Sequence, residues 1–268
     1  MKKITLIKTG TTIAQIKPRN GDFEDWFAEG MGVGNLLRID VYRHEPLPQA
    51  ERLSGVVITG SPAMVSDREG WSERTAEWLA KVVPTGLPVL GVCYGHQLLA
   101  HALGGCVAAN PNGRQIGTVI TQMIDNKTKK DPLLGHLPAT FAAQTSHSES
   151  VLELPDGAQR LAVSPLDQNF AVRFAENAWG VQFHPEFSGA VTADYIRQNT
   201  ASLRRQPPLL CGYLEVGEHD ITGADGHQDV AQRIVGVGQV RRHEGVGVRR
   251  GMLGMSGLGE ALAVGQRA

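Results

Sequence analysis

Residues 86–105, GLPVLGVCYGHQLLAHALGG, decide the fold of this chain. An apolar run over residues 87–92 predicts a buried strand, and an amphipathic pattern closed by Gly104 and Gly105 predicts a helix after it. Only Cys93 lies between the two elements. The stretch therefore predicts a strand, a sharp turn with a cysteine at its apex, and a helix.

The turn reads Gly91-Val92-Cys93-Tyr94-Gly95, a Gly-x-nucleophile-x-Gly elbow with cysteine in place of serine. The two glycines let strand and helix approach closely while Cys93 takes an uncommon backbone conformation. At the amino end of a helix, free N–H groups and the helix dipole favour a thiolate. The elbow alone leaves two interpretations open, a reactive cysteine or a buried one that packs as a small apolar residue.

The composition is that of an ordinary globular protein. At 268 residues, the chain is long enough for one large domain, or for one domain plus an appendage. A net charge of -1 provides no electrostatic reason to expect nucleic acid or an anionic membrane as partner. Cys93, Cys106 and Cys211 cannot form a disulfide framework and fit a reducing compartment. Because no apolar stretch is long enough to span a bilayer, we predict a cytoplasmic location.

The elements around the elbow alternate between strand and helix. Strands are predicted over residues 3–8, 37–42, 55–59, 117–123 and 161–163, and helices over residues 22–31, 71–83 and 191–203. This order predicts an α/β domain with three layers and a mostly parallel central sheet. In such a sheet, functional residues lie at the carboxyl ends of the strands.

Two motifs stand at predicted strand ends. The third strand runs into Gly60-Ser61-Pro62, where glycine can present its N–H to a ligand. A predicted hairpin of residues 170–174 and 179–183 delivers His184-Pro185-Glu186 directly off a strand. Taken alone, the Gly60-Ser61-Pro62 motif is also typical of an ordinary turn, and His184 of a structural histidine.

A change of composition predicts the domain boundary. Residues 1–204 are predicted to form one domain and residues 205–268 a tail, because lysine vanishes and glycine rises there. Neither a helical nor a strand period is present in the tail. Three interpretations stay open: a disordered extension, a poorly packed appendage, or an out-of-frame translation of the carboxyl terminus.

A catalytic cysteine needs a base within hydrogen-bond reach, and the base needs an orienting group. His184 and Glu186 suit these roles, because Pro185 stiffens the link between them at a strand end. A zinc site formed by Cys93, His184 and Glu186 would not explain why glycines flank the elbow. We therefore predict a Cys-His-Glu triad with neither metal nor cofactor.

The motifs around Gly60, Cys93 and His184, with their order and spacing along residues 3–203, resemble the class I (triad) glutamine amidotransferase domain. The similarity is greatest to the group represented by the amidotransferase half of GMP synthetase. The resemblance implies a flavodoxin-like fold and attack by Cys93 on the side-chain amide of glutamine. A glutamyl thioester and ammonia would follow, with the backbone N–H groups of Gly60 and Tyr94 holding the oxyanion.

The resemblance also implies residues that bind the substrate. Gln97 matches a position that helps bind glutamine, and Thr145-Ser146-His147 matches a loop whose backbone contacts the amino and carboxylate ends. The side chains of His96, His101 and His147 have no assigned chemistry and are interpreted as packing or surface residues.

Three functions stay open, two enzymatic and one from another class. The first is a stand-alone glutamine hydrolase or a glutaminase subunit that hands ammonia to a synthetase partner, since no Walker-type loop is present. The second is a γ-glutamyl peptidase or γ-glutamyl-amine hydrolase with the same triad. The third is a non-catalytic regulatory or binding domain, which the intact Cys-His-Glu set argues against.

Overall fold

The computed structural model describes residues 3–32, 36–124 and 128–203 of the chain. In this part of the chain the strands are β1 (Lys3–Lys8), β2 (Leu37–Asp40), β3 (Leu53–Ile58), β4 (Val89–Val92), β5 (Cys106–Ala109), β6 (Gln115–Met123), β7 (Thr140–His147), β8 (Glu149–Glu153), β9 (Gln159–Val163), β10 (Ala171–Ala175) and β11 (Ala178–Val181). The tail predicted for residues 205–268, with its boundary, lies outside the described residues.

The helices of the same residues are α1 (Lys17–Asn20), α2 (Phe23–Met31), α3 (Gly70–Val82), α4 (Tyr94–Ala102) and α5 (Gly189–Leu203). Short 3₁₀ turns are formed by Val41–Arg43, Ala50–Arg52, Val65–Asp67 and Val83–Thr85. No helix in the described ranges combines the length and the apolar character needed to cross a membrane.

Nine strands form one sheet in the order β2-β1-β3-β4-β11-β10-β9-β6-β7. The pairs from β2 to β11 are parallel, and the pairs from β11 to β7 are antiparallel. β5 and β8 form a separate antiparallel pair. The predicted α/β fold with a large, mostly parallel sheet is confirmed, and the structure adds an antiparallel half beyond β11.

Each face of the sheet carries its own core, as alternation along the strands requires. Leu6, Val57 and Leu90 pack in one cluster with apolar residues of α2 and α5. Their neighbours Ile7 and Val56, with further strand residues, pack in a second cluster with α3 and α4. Two helical layers therefore sandwich the sheet, and both cores are apolar enough to drive folding.

Several element boundaries differ from the predictions. β2 ends at Asp40 because the chain turns into a 3₁₀ turn that His44 closes with φ 65°. β5 and β8 were not predicted, because the exposure of β5 gives its four residues no alternating apolar pattern. Residues 145–147, expected in a loop, form the end of β7.

A buried carboxylate organises the segment between β1 and α2. Asp22 is fully buried, and its carboxylate receives Lys8 Nζ at 2.8 Å and Thr11 Oγ1 at 2.6 Å. It also accepts the backbone N–H of Thr12 at 2.8 Å and caps α2 through the N–H of Phe23. Burial by itself raises the pKa of Asp22, but these donors outweigh it and hold the pKa well below its usual value.

We predict that Asp22→Asn lowers the free energy of unfolding by about 2 kcal/mol, because it removes one of the two carboxylates that contact the buried ammonium of Lys8 and leaves only Glu24. Urea titration at pH 7 measures the difference, with the exposed Asp156→Asn as the matched control. Equal midpoints for both variants would contradict the role of Asp22.

The carboxylate of Asp22 also makes the free energy of unfolding depend on pH in the acidic range. Because the pKa of Asp22 is lower in the folded state, its contribution is complete above the unfolded value of about 4 and is lost as the pH falls below it. The loss of stability between about pH 4 and 2 should therefore be smaller in Asp22→Asn than in the natural sequence.

Candidate active site

Cys93 lies between β4 and α4 with φ 50° and ψ −102°, a conformation that residues other than glycine rarely adopt. A Cβ on Gly91 would lie 2.3 Å from the carbonyl oxygen of Gly95, and one on Gly95 would lie 2.5 Å from that of Ile58. These contacts leave no room for larger residues. The local sequence therefore forms the sharp elbow that the glycine spacing predicts.

His184 and Glu186 follow the end of β11, which pairs in parallel with β4. The Nδ1 atom of His184 lies 2.7 Å from Oε1 of Glu186, and both side chains are buried. The backbone N–H of His184 donates to the carbonyl of Gln144 in β7 at 2.7 Å. This bond ties the histidine to the antiparallel half of the sheet.

Three ionisable side chains, those of Cys93, His184 and Glu186, interact with one another. Burial by itself lowers the pKa of His184, but the charges of Glu186 and Cys93 and hydrogen bonds with both outweigh it and raise the pKa to about 10. The Nδ1 atom faces Glu186, and the imidazole also has a side-chain hydrogen bond with Cys93. The arrangement favours a protonated, positively charged imidazole at neutral pH.

Aromatic rings hold the imidazole in place. The ring of Phe187 stacks on His184 with centroids 3.9 Å apart and planes 14° from parallel. Phe23 of α2 stacks near the same ring, with its centroid 6.4 Å away. The sequence reasoning did not single out these two rings; an aromatic residue directly after His-Pro-Glu was an available signal for Phe187.

Gly60 lies directly beside the imidazole. A Cβ at this position would be 2.8 Å from Cε1 of His184, so only glycine fits without displacing the ring. The carbonyl of Thr59 accepts the hydroxyl of Thr9 at 3.0 Å and the N–H of Gly95 at 3.2 Å. Because the carbonyl of Thr59 and the N–H of Gly60 share one peptide plane, these contacts fix the direction of that N–H.

The predicted substrate-binding residues lie around the elbow. The side-chain amide of Gln97 donates to the carbonyl of Glu149 at 2.7 Å and to Oε1 of Gln182 at 3.0 Å. The carbonyl oxygen of Ser146 lies 3.8 Å from Sγ of Cys93. Thr145 is fully buried. Segment 145–147 therefore reaches the sulfur through its backbone, and its role in binding stays a prediction.

The histidines outside the predicted triad have structural surroundings. His147 contacts the carbonyl of Glu149 and the side chain of Gln115 through its two ring nitrogens, and burial lowers its pKa. His96 is fully buried, and burial lowers its pKa to about 4. His101 is half-buried and lies 3.1 Å from a carboxylate oxygen of Glu73. His101 and His147 thus contact other protein groups, and the interpretation of all three side chains as packing or surface groups stays a prediction.

Sequence reasoning missed one further charged residue, Arg114. Its Nη2 lies 3.5 Å from Oγ of Ser146, and burial lowers its pKa while negative charge at Cys93 raises it. A single arginine before a predicted strand does not by itself predict that its side chain reaches Ser146. Within the described ranges, no group of three or more His, Cys, Asp or Glu residues is arranged to hold a metal ion.

Comparison with known proteins identifies the family to which the chain is similar. The family model for Glutamine amidotransferase class-I matches residues 31–202. A GMP synthase [glutamine-hydrolyzing] of Aeropyrum pernix is 37% identical over 163 residues, which cover 61% of this chain and 29% of that protein. A shorter relative, one subunit of the GMP synthase [glutamine-hydrolyzing] of Natronomonas pharaonis, is 34% identical over 153 residues, 57% of this chain and 76% of that protein.

The matched region spans only 25 to 36% of the length of the first five relatives, all of which are GMP synthases. Among solved structures, a glutamine amidotransferase of Thermotoga maritima superposes with a TM-score of 0.60 at 22% identity. The superposition covers 88% of this chain and 95% of the other. At this identity the likeness supports the fold alone.

We predict that iodoacetamide alkylates Cys93 faster than the exposed Cys106, although Cys93 is only 5% exposed, because the imidazolium of His184 lies beside its sulfur. Mass spectrometry of the labelled peptides at pH 7 gives both rates. His184→Ala should slow labelling of Cys93 about tenfold or more and leave Cys106 unchanged. Faster labelling of Cys106 in the natural sequence would contradict the ion pair.

Proposed function

The chain belongs to the glutamine amidotransferase class-I family, an enzyme family, and from this premise we propose that it hydrolyses the γ-amide of glutamine and releases ammonia. Cys93 is the nucleophile, His184 the acid and base, and Glu186 the group that orients the histidine. The observation that carries the proposal is the buried 2.7 Å contact between His184 and Glu186, with the strained elbow cysteine as third partner.

The reaction begins when the thiolate of Cys93 attacks the γ-carbonyl carbon of glutamine. The tetrahedral intermediate collapses as the carbon–nitrogen bond breaks, and the imidazolium of His184 protonates the departing amide nitrogen, which leaves as ammonia. A glutamyl thioester remains on the sulfur. Neutral His184 then takes a proton from water, the hydroxide attacks the thioester, and glutamate leaves with the thiolate restored. Glu186 stabilises the imidazolium in both steps.

The oxyanion formed in each step needs donors that are aimed in advance. We assign this role to the backbone N–H groups of Gly60 and Tyr94. Among the described residues, neither N–H donates a hydrogen bond within the protein. Gly60 lies against His184 and Tyr94 directly follows Cys93, so both donors flank the reacting centre.

The fate of the ammonia follows from the relatives. The full-length GMP synthases extend far beyond the matched region, whereas the N. pharaonis relative is a separate chain of which 76% is matched. We therefore infer that this chain supplies ammonia to a synthetase. Gln97 and the backbone of residues 145–147 complete the glutamine site.

We predict that Cys93→Ala and His184→Ala each lower kcat for ammonia release from L-glutamine by about 10⁴-fold or more. Glu186→Gln should cost less, because the histidine keeps its ring contact with Phe187. The exposed Glu176→Gln is the matched control. Measuring release of amines from γ-glutamyl amides in parallel identifies the preferred leaving group. Turnover in Cys93→Ala equal to that of the natural sequence would refute the proposal.

The pH profile tests the role of Glu186. Its charge raises the pKa of His184, so the alkaline limb of the kcat profile should move to lower pH in Glu186→Gln. The alkaline limb moves because the imidazolium is the proton donor, and a lower pKa of His184 means that this donor is lost at a lower pH. An unmoved limb would show that another group controls it.

We predict that Thr9→Val lowers kcat on the order of tenfold with little change in KM, because the oxyanion donor of Gly60 loses the hydroxyl that helps to fix its peptide plane. Thr9→Ser keeps the hydroxyl and should keep most activity. Thr85→Val is the matched control, since that hydroxyl also donates to a carbonyl but lies before β4, at the opposite edge of the sheet. Equal kcat values for both valine variants would exclude this role of Thr9.

A further inference from the structure

Glu149 joins separate parts of the proposed active site, although it belongs neither to the Cys-His-Glu set nor to the predicted substrate-binding residues. It begins β8, and its side chain is buried. Its Oε2 atom accepts the backbone N–H of Val65 at 2.8 Å and that of Ser66 at 3.4 Å. The buried carboxylate therefore acts on a segment that lies 84 residues earlier in the chain.

The two N–H groups that Glu149 receives begin a 3₁₀ turn, Val65–Asp67, whose own sequence supplies no cap. Met64 precedes the turn and makes no side-chain hydrogen bond to it. The first N–H groups of a helical turn have no partner within the turn, and a carboxylate is a strong acceptor for them. Glu149 thus caps the turn from a distant strand, and the position of the turn depends on this contact.

The capped turn ends the segment that begins at Gly60. At the start of this segment, the hydroxyl of Ser61 donates to the carbonyl of Thr9 at 2.9 Å. At its end, the buried side chain of Val65 packs in the apolar cluster that contains residues of α4. The chain that follows the predicted oxyanion glycine is therefore held at one end by the residue after β1 and at the other end by Glu149.

The backbone of Glu149 contacts the opposite side of the site. Its carbonyl oxygen accepts the side-chain amide of Gln97 in α4 at 2.7 Å and lies 2.9 Å from Nδ1 of His147 at the end of β7. One residue therefore connects the segment after Gly60, the elbow helix and the end of β7. Because every residue type keeps the carbonyl, a substitution of Glu149 removes only the contacts with the 3₁₀ turn.

We propose that Glu149 is a positioning residue, whose carboxylate holds the 3₁₀ turn in place and thereby keeps the N–H of Gly60 directed at the oxyanion. The proposal rests on the proposed function, which assigns this N–H to the oxyanion. A donor of this kind stabilises the transition state only when it is aimed in advance. Loss of the carboxylate frees the segment to shift, which weakens stabilisation of the transition state more than binding of the substrate.

The test compares two substitutions of similar length. Glu149→Gln keeps an oxygen that can accept the N–H groups of the turn, whereas Glu149→Met does not. We expect Glu149→Met to lower kcat for ammonia release from L-glutamine on the order of tenfold to a hundredfold with little change in KM, and Glu149→Gln to keep most of the activity. The exposed Glu153→Met, at the other end of β8, is the matched control.

Two further readouts do not require turnover. Hydrogen exchange over residues 60–67 should be faster in Glu149→Met and unchanged in Glu149→Gln, because only the methionine variant loses the cap. Alkylation of Cys93 by iodoacetamide forms no oxyanion, so its rate should be the same in Glu149→Met and in the natural sequence. If Glu149→Met does not fold, Glu149→Asp takes its place, since its carboxylate is one methylene further from the turn.

The outcomes separate this inference from the proposed function. Faster exchange in Glu149→Met, without ammonia release by the natural sequence, would support the hold of Glu149 on the turn and refute the proposed function. Equal kcat values in Glu149→Met and Glu149→Gln, a loss confined to KM, or unchanged exchange would each overturn the inference. Slower alkylation of Cys93 in Glu149→Met would also overturn it, because the elbow itself would then depend on Glu149.

Discussion

The structure depends on the close approach of β4 and α4 at Cys93. Gly91 and Gly95 pack so tightly that a methyl group on either would meet backbone atoms, and the cysteine between them is left with a positive φ. Such strain persists only where the surroundings impose it. Here β4 lies centrally, between β3 and β11, and α4 packs against the sheet. The thiol is therefore presented at the carboxyl edge of the sheet by the core itself.

Two buried charge clusters flank this edge. Asp22 holds the segment after β1, and Thr12 of that segment contacts the hydroxyl of Tyr195 in α5 at 2.8 Å. Glu186 holds the imidazole of His184 from the other side. Buried charges are costly unless they are paired, so each cluster specifies one arrangement of its loop. The segment after β1 thereby supports the Gly60 peptide through Thr9.

Arg114 differs from these clusters because it lacks a carboxylate among the described residues. Its Nε atom is buried without a hydrogen-bond partner among the described residues, as is the Oε2 atom of Glu186. Membership of the class-I family defines the chemistry expected at Cys93.

The sequence by itself determined the α/β fold, the elbow and the family, because these features are local: glycine spacing, apolar periodicity and short motifs. It also placed Cys93 and His184 at strand ends. Only the tertiary structure decided that the pairing of β6 with β7 brings Arg114 to Ser146, that Phe187 stacks on the imidazole, and that β5 pairs with β8. Such contacts join residues far apart in the chain or depend on side-chain packing, and neither spacing nor periodicity encodes them.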